Sequence, residues 1–435
     1  MDGRTRNVAR VAGGMGRAVL ALLSAAVLIA TGFAYSLTGR VGQDVATSEA
    51  VAAPATPLAP QAAFTALLVG LDSRTDTWGR PLPPDVLAQL RAGVDEGQLH
   101  TDTIILLHVP AGPEPRAVAV SLPRDSFVEI AGNRGRHKIN SAYRRGLQDA
   151  EEALARQTLT STEREPRVRE AGRRTLVATV EDLTGVRVDH FAEVNLAGFL
   201  EITDALGGVP VCLNQPVREI RSGIDLPAGP QLVSGPDALA FVRQRHGLDD
   251  GDLDRIGRQQ AFLAGLTSTV TTSDVMRDPV RLNRLAQAVS RYVVLDRGWN
   301  VQELVGQVRR VAAGELTFET IPTGTPALHT PVDGIAVEVD PDAVRAFVQS
   351  RMPAAARIMP RVTTSRSRTL TAIPRAGPTP SAPGSVRVAA PGGPPAARPA
   401  DSTTRGTTTS DITTAPTTTT TTPAPITADG IPCVD

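Results

Sequence analysis

The stretch FTALLVGL, residues 64–71, decides the fold class because it is almost entirely apolar instead of alternating between apolar and polar residues. A short run of this kind predicts a strand buried on both faces of a sheet. The runs TIILLHV (103–109) and AVAVSL (117–122) have the same character. We therefore expect a central sheet with both faces covered.

Helical patterns lie between and after these runs, at 82–92, 141–155, 166–184, 195–206 and 253–272. The segments 207–213 and 316–322 are further strand candidates. DPDAVRAFVQSRM (340–352) predicts a last helix, with Asp340 as N-cap and Pro341 in its first turn. Strands that alternate with helices predict an α/β sandwich.

The charge balance argues against a nucleic-acid partner. The chain has 435 residues, with 45 basic and 45 acidic side chains and a formal net charge of zero. Any anion site must therefore be local. Lys138 is the only lysine, so almost every cation is a planar arginine that can grip phosphate or carboxylate at two points. No C-x-x-C motif or histidine cluster indicates zinc.

The N-terminus indicates export. Four arginines, at 4, 6, 10 and 17, precede the uncharged run AVLALLSAAVLIATGFAYSL (18–37), which is long enough to span a bilayer as a helix. Because basic residues stay inside, we expect a cytoplasmic tail at 1–17 and a transmembrane helix at 18–38. The alternative is a cleaved signal peptide, although the nearest small-residue site, VAAPAT (51–56), is far downstream. Either way most of the chain is extracytoplasmic, and the uncleaved form is a single-pass protein of the cell membrane.

Composition divides the exported part into three. Residues 39–63 are expected to be a linker, and 64–352 a globular domain. Residues 353–435 are rich in Pro and Thr and are expected to be a disordered tail that ends in ADGIPCVD. We expect Cys433 to form a disulfide with Cys212, the only other cysteine. Free or intermolecular thiols are the alternative.

Charged side chains occur at the ends of the three apolar runs. Asp72 and Arg74 follow the first run, Asp102 begins the second, and Arg124 and Asp125 follow the third. In α/β sheets, ligands bind beyond the carboxyl ends of strands. Asp102 joins the others there if its strand runs antiparallel to its neighbours. We expect these groups to share one site.

The stretch FVRQRHGLDDGDLDRIGRQQ (241–260) is the densest in charge. Arg243 and Arg245 point the same way if the chain leaves a helix in an extended form. Asp252 is a suitable N-cap for the next helix. Arg255 and Gln259 lie one turn apart and share a face. Both pairs can converge near a helix N-terminus, which favours an anion.

A lattice of surface salt bridges is the alternative for this stretch. Exposed pairs contribute only about 0–1 kcal/mol each, and such a lattice leaves the arginine of the 124 region unexplained. Arginines gathered in one cleft imply an anion, and a pyrophosphate fits. Asp72 and Asp102 would repel that ligand unless a divalent cation such as Mg²⁺ lay between them.

The sequence resembles the LytR–CpsA–Psr (LCP) family of cell-envelope ligases, of the actinobacterial type, strongly over 64–270 and weakly on to about 352. The motifs that carry the resemblance are LLVGLDSR, TDTIILLHV, SLPRDSFVEI, KINSAYRRG, VDHFAEVNLAGF, DALGGVPVCL and ALAFVRQRHGLDDGDLDRIGRQQAFL. The resemblance implies an α/β/α sandwich with a central mixed sheet and a hydrophobic groove for a lipid tail. It also implies transfer of a glycopolymer from a polyprenyl-pyrophosphate carrier at the cytoplasmic membrane to peptidoglycan. The implied acceptor is the C6 hydroxyl of N-acetylmuramic acid, and the product is a phosphodiester.

The resemblance also assigns roles to residues. Asp72 and Asp102 would hold Mg²⁺ (or Mn²⁺) or assist deprotonation, and the family does not settle which acid is the base. The groups expected at the pyrophosphate are Arg74, Arg124, Arg243, Arg245, Asp252, Arg255 and Gln259. The groups expected to take part in catalysis are Asp72, Asp102, Arg124 and Arg255. Asp125 and Arg258 lie beside these in the sequence.

Two other functions remain open. A hydrolase of the carrier would need the same cation and arginines, with water in place of the sugar hydroxyl. A non-catalytic regulator would only bind the lipid pyrophosphate. An arginine-dominated, alanine-rich chain suggests an actinobacterium and so arabinogalactan as the polymer, by analogy. Candidate helices for the lipid groove are 175–183, 197–206 and 261–266.

Overall fold

The computed structural model describes residues 45–52, 59, 61–90, 99–220, 222–244, 247–248, 252–272, 278–299, 301–353, 355, 426–427 and 431–435. The strands there are β1 (Ala46–Ser48), β2 (Phe64–Asp72), β3 (His100–Val109), β4 (Arg116–Ser121), β5 (Ser126–Glu129), β6 (Arg136–Lys138), β7 (His190–Asn195), β8 (Val209–Leu213), β9 (Val217–Glu219), β10 (Ile224–Leu226), β11 (Gly229–Val233), β12 (Val293–Asp296), β13 (Glu315–Thr320), β14 (Leu328–Thr330), β15 (Gly334–Glu338), β16 (Ile426–Thr427) and β17 (Cys433–Val434). The helices there are α1 (Pro84–Leu90), α2 (Ala142–Leu154), α3 (Ser161–Thr184), α4 (Leu196–Leu206), α5 (Gly235–Arg243), α6 (Asp252–Thr272), α7 (Pro279–Tyr292), α8 (Val301–Ala313) and α9 (Pro341–Arg351).

The central sheet has eight strands in the order β1-β12-β7-β2-β3-β4-β13-β16. The three apolar runs of the sequence are β2, β3 and β4, which lie side by side in its middle. β3 runs antiparallel to both of its neighbours, whereas β2 and β7 are parallel, as are β4 and β13. The expected central mixed sheet is confirmed, and so is the antiparallel direction that Asp102 required.

Helices cover both faces of this sheet. On one face, side chains of the central strands pack with α2, α3 and α9, and the buried members include Leu67, Ile104, Tyr143, Leu176 and Val344. On the other face they pack with α6 and α8, and the buried members include Ala66, Ile105, Ala264 and Val311. A third apolar cluster joins α4, α5 and α6 to β8 and β11. The layers are those of an α/β sandwich.

Local sequence explains where several helices begin and end. Thr160 and Glu163 form a capping box at the start of α3, and Gly185 ends that helix with φ of 72°. Asn195 caps α4, because its side chain accepts a hydrogen bond from the Gly198 N–H at 2.7 Å. Asp340 caps α9 as expected, accepting from the Asp342 N–H at 2.9 Å.

The two ends of the described chain add short strands that composition does not reveal. The expected linker at 39–63 contains β1, which pairs in parallel with β12 at one edge of the sheet. The expected tail contains β16, which pairs with β13, and β17, which pairs with β8. A disulfide joins Cys212 to Cys433. The last residues of the tail are therefore part of the folded domain.

The expected transmembrane helix at 18–38 lies outside the described residues. Within the residues that the structure describes, no helix combines the length and the apolar character needed to cross a bilayer.

Candidate active site

A cavity of about 270 Å³ lies between the central sheet and the helices α4, α5 and α6. Its walls are mostly apolar and include Leu68, Ile105, Phe199, Leu239, Val242 and Phe262. Polar and charged residues also line it, and they are Asp72, Asp102, Thr103, Glu193, Asn195, Arg243, Arg255 and Gln259. Such a cavity suits an amphiphile with an apolar body and an anionic head.

The lining residues predicted from the sequence come from four separate elements. Asp72 is the last residue of β2, and Asp102 lies near the start of the antiparallel β3, so both fall at the same edge of the sheet. Arg243 is the last residue of α5, while Arg255 and Gln259 lie in the first two turns of α6. The structure thus brings together residues up to 187 positions apart, as the sequence analysis expected for this set.

A β-bulge explains how Asp102 lines the cavity. Gly70 pairs with Thr103 and Leu71 pairs with Thr101, so Asp102 is the extra residue between them. A bulge re-aims the side chains beside it, and Asp102 lies close enough to Arg255 and Arg243 for their charges to lower its pKa. A β-carbon on Gly70 would lie 3.0 Å from that of Thr103. Glycine at 70 therefore permits the close pairing beside the bulge.

Each carboxylate has an arginine partner. Arg124 Nη1 lies 2.8 Å from Asp102 Oδ1, and Arg74 Nη1 lies 3.4 Å from Asp72 Oδ1. Arg124 also lies 3.8 Å from Asp125, whose other oxygen is 3.3 Å from Lys138 Nζ. Asp125 therefore belongs to the surroundings of Arg124 and is absent from the lining of the cavity.

The two carboxylates have opposite pKa shifts. Burial raises the pKa of Asp72, the charge of Asp102 raises it further, and Arg74 and Arg243 only partly offset this. Burial also acts to raise the pKa of Asp102, but Arg124 and Arg255 outweigh it, so that pKa is lowered. Asp72 therefore holds a proton more readily than an ordinary aspartate, whereas Asp102 stays ionised.

The arginines around the cavity outnumber its carboxylates. The lining contains three carboxylates, Asp72, Asp102 and Glu193, which pair with Arg74, Arg124 and Arg173 respectively. Arg243 and Arg255 line the cavity as well. Arg255 is 3% exposed, so its charge acts where water screens it little. An anionic ligand would restore the balance of charge.

The remaining expected residues are less informative. Arg245 lies outside the described residues, and Asp252 is the first residue of α6. Arg258 is fully buried and does not line the cavity. Among the described residues, no group of three or more His, Cys, Asp or Glu side chains is arranged to hold a metal ion.

Two of the three helical segments that were predicted to line a lipid groove line the cavity. Segments 197–206 and 261–266 contribute Phe199 and Phe262, as expected. Segment 175–183 does not line the cavity, because Leu176 and Val180 pack on the opposite face of the sheet. Helix α5 was not among the predicted walls of the cavity, although DALAFV carries Leu239 and Val242 at helical spacing.

Comparison with known proteins assigns the chain to a family. The model of the LytR_cpsA_psr family matches residues 35–340. "Cell wall biosynthesis protein LcpA" of Corynebacterium glutamicum is 42% identical over 77% of this chain, which spans 65% of that relative's length. "Polyisoprenyl-teichoic acid–peptidoglycan teichoic acid transferase TagU" of Halalkalibacterium halodurans is 27% identical over 60% of this chain and 72% of its own. The solved "LytR-Csp2A-Psr enzyme from Actinomyces oris" is 22% identical, with a TM-score of 0.46, over 70% of this chain and 95% of its own. The chain therefore belongs to the LytR_cpsA_psr family.

Proposed function

We propose that this protein transfers a glycopolymer from a polyprenyl-pyrophosphate carrier to peptidoglycan in the cell envelope, with the C6 hydroxyl of N-acetylmuramic acid as acceptor. The observation that carries the proposal is the cavity itself, which combines apolar walls with arginines and aspartates in one space. The printed names of the relatives, a cell wall biosynthesis protein and a teichoic acid transferase, agree with it. The apolar part takes the first isoprene units, since their burial is favourable by about 0.8 kcal/mol per CH₂.

The arginines hold the diphosphate. Arg243 and Arg255 line the cavity from two helices, and each can donate two parallel hydrogen bonds to phosphate oxygens. Gln259 donates from Nε2 to the Val242 carbonyl at 3.3 Å, which ties α6 to the end of α5 beside Arg243. Arg124 keeps Asp102 in place through a hydrogen bond of 2.8 Å.

Asp72 and Asp102 fit a divalent cation. Both are carboxylates that line one cavity, and Mg²⁺ is usually held by one or two carboxylates together with phosphate oxygens. Asp72 Oδ1 is buried, and it faces Arg74 Nη1 at 3.4 Å without accepting a hydrogen bond from the described part of the chain. Bound Mg²⁺, or Mn²⁺, would neutralise charge on the phosphates.

The chemistry then needs only positioning and charge neutralisation. The acceptor hydroxyl oxygen forms a bond to the sugar-linked phosphorus, and the bond from that phosphorus to the bridging oxygen breaks. Polyprenyl phosphate leaves, and its charge meets Arg243 and Arg255. The hydroxyl proton passes to Asp72 or Asp102, and burial, which raises the pKa of Asp72 in the metal-free site, makes Asp72 the better acceptor when it does not hold the cation. The apolar walls exclude water, which would otherwise compete as the acceptor.

The test incubates the full chain in detergent with a polyprenyl-pyrophosphate-linked glycan, peptidoglycan oligomers and Mg²⁺. We expect glycan joined to peptidoglycan. Arg243→Ala and Asp72→Ala should abolish joining while circular dichroism stays unchanged. Arg116→Ala is the matched control, because Arg116 is an exposed arginine paired with Glu315 at the start of β4.

Other outcomes distinguish the alternatives. Free phosphorylated glycan without joined product would identify a hydrolase. Binding of the donor without turnover would identify a regulator. Full activity in both site variants would refute the assignment of the site.

A further inference from the structure

Arg258 is a buried cation that the proposed chemistry leaves unused. It lies on α6 with an exposed fraction of 0%. Its Nε donates to the backbone oxygen of Asp435, and its Nη1 donates to Gln244 Oε1. Its guanidinium lies over the Phe241 ring, 5.4 Å from the centroid. A buried arginine is costly unless such partners satisfy it.

The acceptor at 435 is held in place by the last residues of the chain. We call residues 431–435 the C-terminal strap. The strap pairs in parallel with β8 at Cys433 and Val434, and the Cys212–Cys433 disulfide fixes it there. Asn214 adds two contacts at 2.9 Å, from its N–H to the Val434 carbonyl and from Nδ2 to Asp435 Oδ1.

The other partners of Arg258 flank Arg243 in sequence. Phe241 and Gln244 lie two residues before and one residue after Arg243, at the end of α5. Arg258 itself precedes Gln259 and follows Arg255 by three residues, so it shares a helix with two groups that line the cavity. A shift of Arg258 would therefore move the end of α5 relative to α6.

The buried charge of Arg258 is costly. Burial lowers its pKa to about 10, and the charges of Asp254 and Asp435 act against that effect. Without the strap, the Nε–H would lose its acceptor, and the guanidinium would gain by moving toward water. Phe241 and Gln244 would then lose their contacts with Arg258 at the end of α5.

We propose that the C-terminal strap positions the arginines of the pyrophosphate site through Arg258, which makes Arg258 and Asp435 positioning residues for donor binding. The proposal rests on the proposed function, because it assumes a diphosphate in the cavity. It extends the site to a segment that composition alone assigns to an irregular tail.

The test measures binding of geranylgeranyl pyrophosphate to the full chain by titration calorimetry in Mg²⁺. Three changes are compared with the wild type: a chain that ends at Val434, Arg258→Met, and both together. Each single change should weaken binding at least tenfold, and the combination should be no weaker than Arg258→Met alone, because both break one linkage. In transfer assays, KM for the lipid-linked donor should rise while KM for peptidoglycan stays constant.

Asn214→Ala is the matched control, since it removes the side-chain contact to Asp435 and leaves the backbone acceptor of Arg258; its affinity should stay within about twofold of wild type. If Arg258→Met does not fold, the same binding titration is made with the chain that ends at Val434 and with Arg258→Lys. Wild-type affinity in the shortened chain, or losses that add in the combination, would overturn the proposal. Failure of the wild type to bind the probe would instead count against the proposed function.

Discussion

Replacing Cys433 with serine tests how strongly the disulfide stabilises the domain. Cys433 is exposed and Cys212 is buried, so serine at 433 removes the bond without placing a hydroxyl in the core. β17 has only two paired residues, and it contributes little stability by itself. The change therefore isolates the effect of the covalent link.

The expected loss follows from the size of the closed loop. The two cysteines are 221 residues apart in sequence. In the chain-entropy model, linking residues so far apart lowers the entropy of the unfolded chain by an amount equal to about 5 kcal/mol at 25 °C. Measured disulfides usually contribute about 2–4 kcal/mol. We expect Cys433→Ser to lower the free energy of unfolding by about 2–5 kcal/mol.

Urea unfolding followed by tryptophan fluorescence measures this loss. Trp299 is 5% exposed and stacks on His190 with 4.6 Å between ring centroids. It belongs to the core of the central sheet, so its signal reports global unfolding instead of local release of the strap. Wild type in dithiothreitol is the control, and it should match the variant, which dithiothreitol should not change. Equal urea midpoints for oxidised wild type and variant would refute the reasoning.

Three further predictions concern the interior and the site. Glu193→Gln should lower the free energy of unfolding in urea by about 3–5 kcal/mol, because Arg173 donates two hydrogen bonds of 2.9 Å to that buried carboxylate. Replacing both residues with apolar ones should recover most of the loss, and an unchanged urea midpoint for Glu193→Gln would contradict the prediction. In metal-free buffer, the contribution of Asp72 to the free energy of unfolding should fall as the pH rises from the ordinary aspartate pKa of 3.8 to the raised pKa of Asp72, because the folded state binds that proton more tightly. Asp72→Asn should remove this pH-dependent contribution, and an identical pH profile in wild type and variant would count against the prediction. Mg²⁺ at one hundred times its Kd should raise the free energy of unfolding by about 2.7 kcal/mol, and EDTA should abolish the increase. An increase of the same size in Asp72→Ala would show that the ion binds elsewhere.

Sequence reasoning predicted the features that depend on local pattern. The central strands β2, β3 and β4 follow from unbroken apolar runs, and the helix at 340–352 follows from Asp340 and Pro341. The grouping of Asp72 with Asp102 followed from the rule that ligands bind at strand ends. The grouping of Arg243, Arg255 and Gln259 followed from their spacing beside a helix N-terminus, and all five residues line one cavity.

Features set by distant contacts were not predictable in this way. β1 and β17 are very short, and their pairing partners are hundreds of residues away. The bulge at Asp102 leaves no mark on a pattern of alternating residues. The apolar face of 175–183 shows that a helix is buried, but it cannot show which face of the sheet covers it.

The anchored ends of the tail change what proteolysis can do to this protein. The described chain continues past α9 to Ala355, which is buried in the core, and it is described again at Ile426, beside β13. A single nick anywhere between 356 and 425 would therefore release no fragment, because the Cys212–Cys433 bond still joins the two pieces. The cut protein would migrate as one species on a non-reducing gel and as two after reduction, and a secreted protease could open the tail without shedding the last strands.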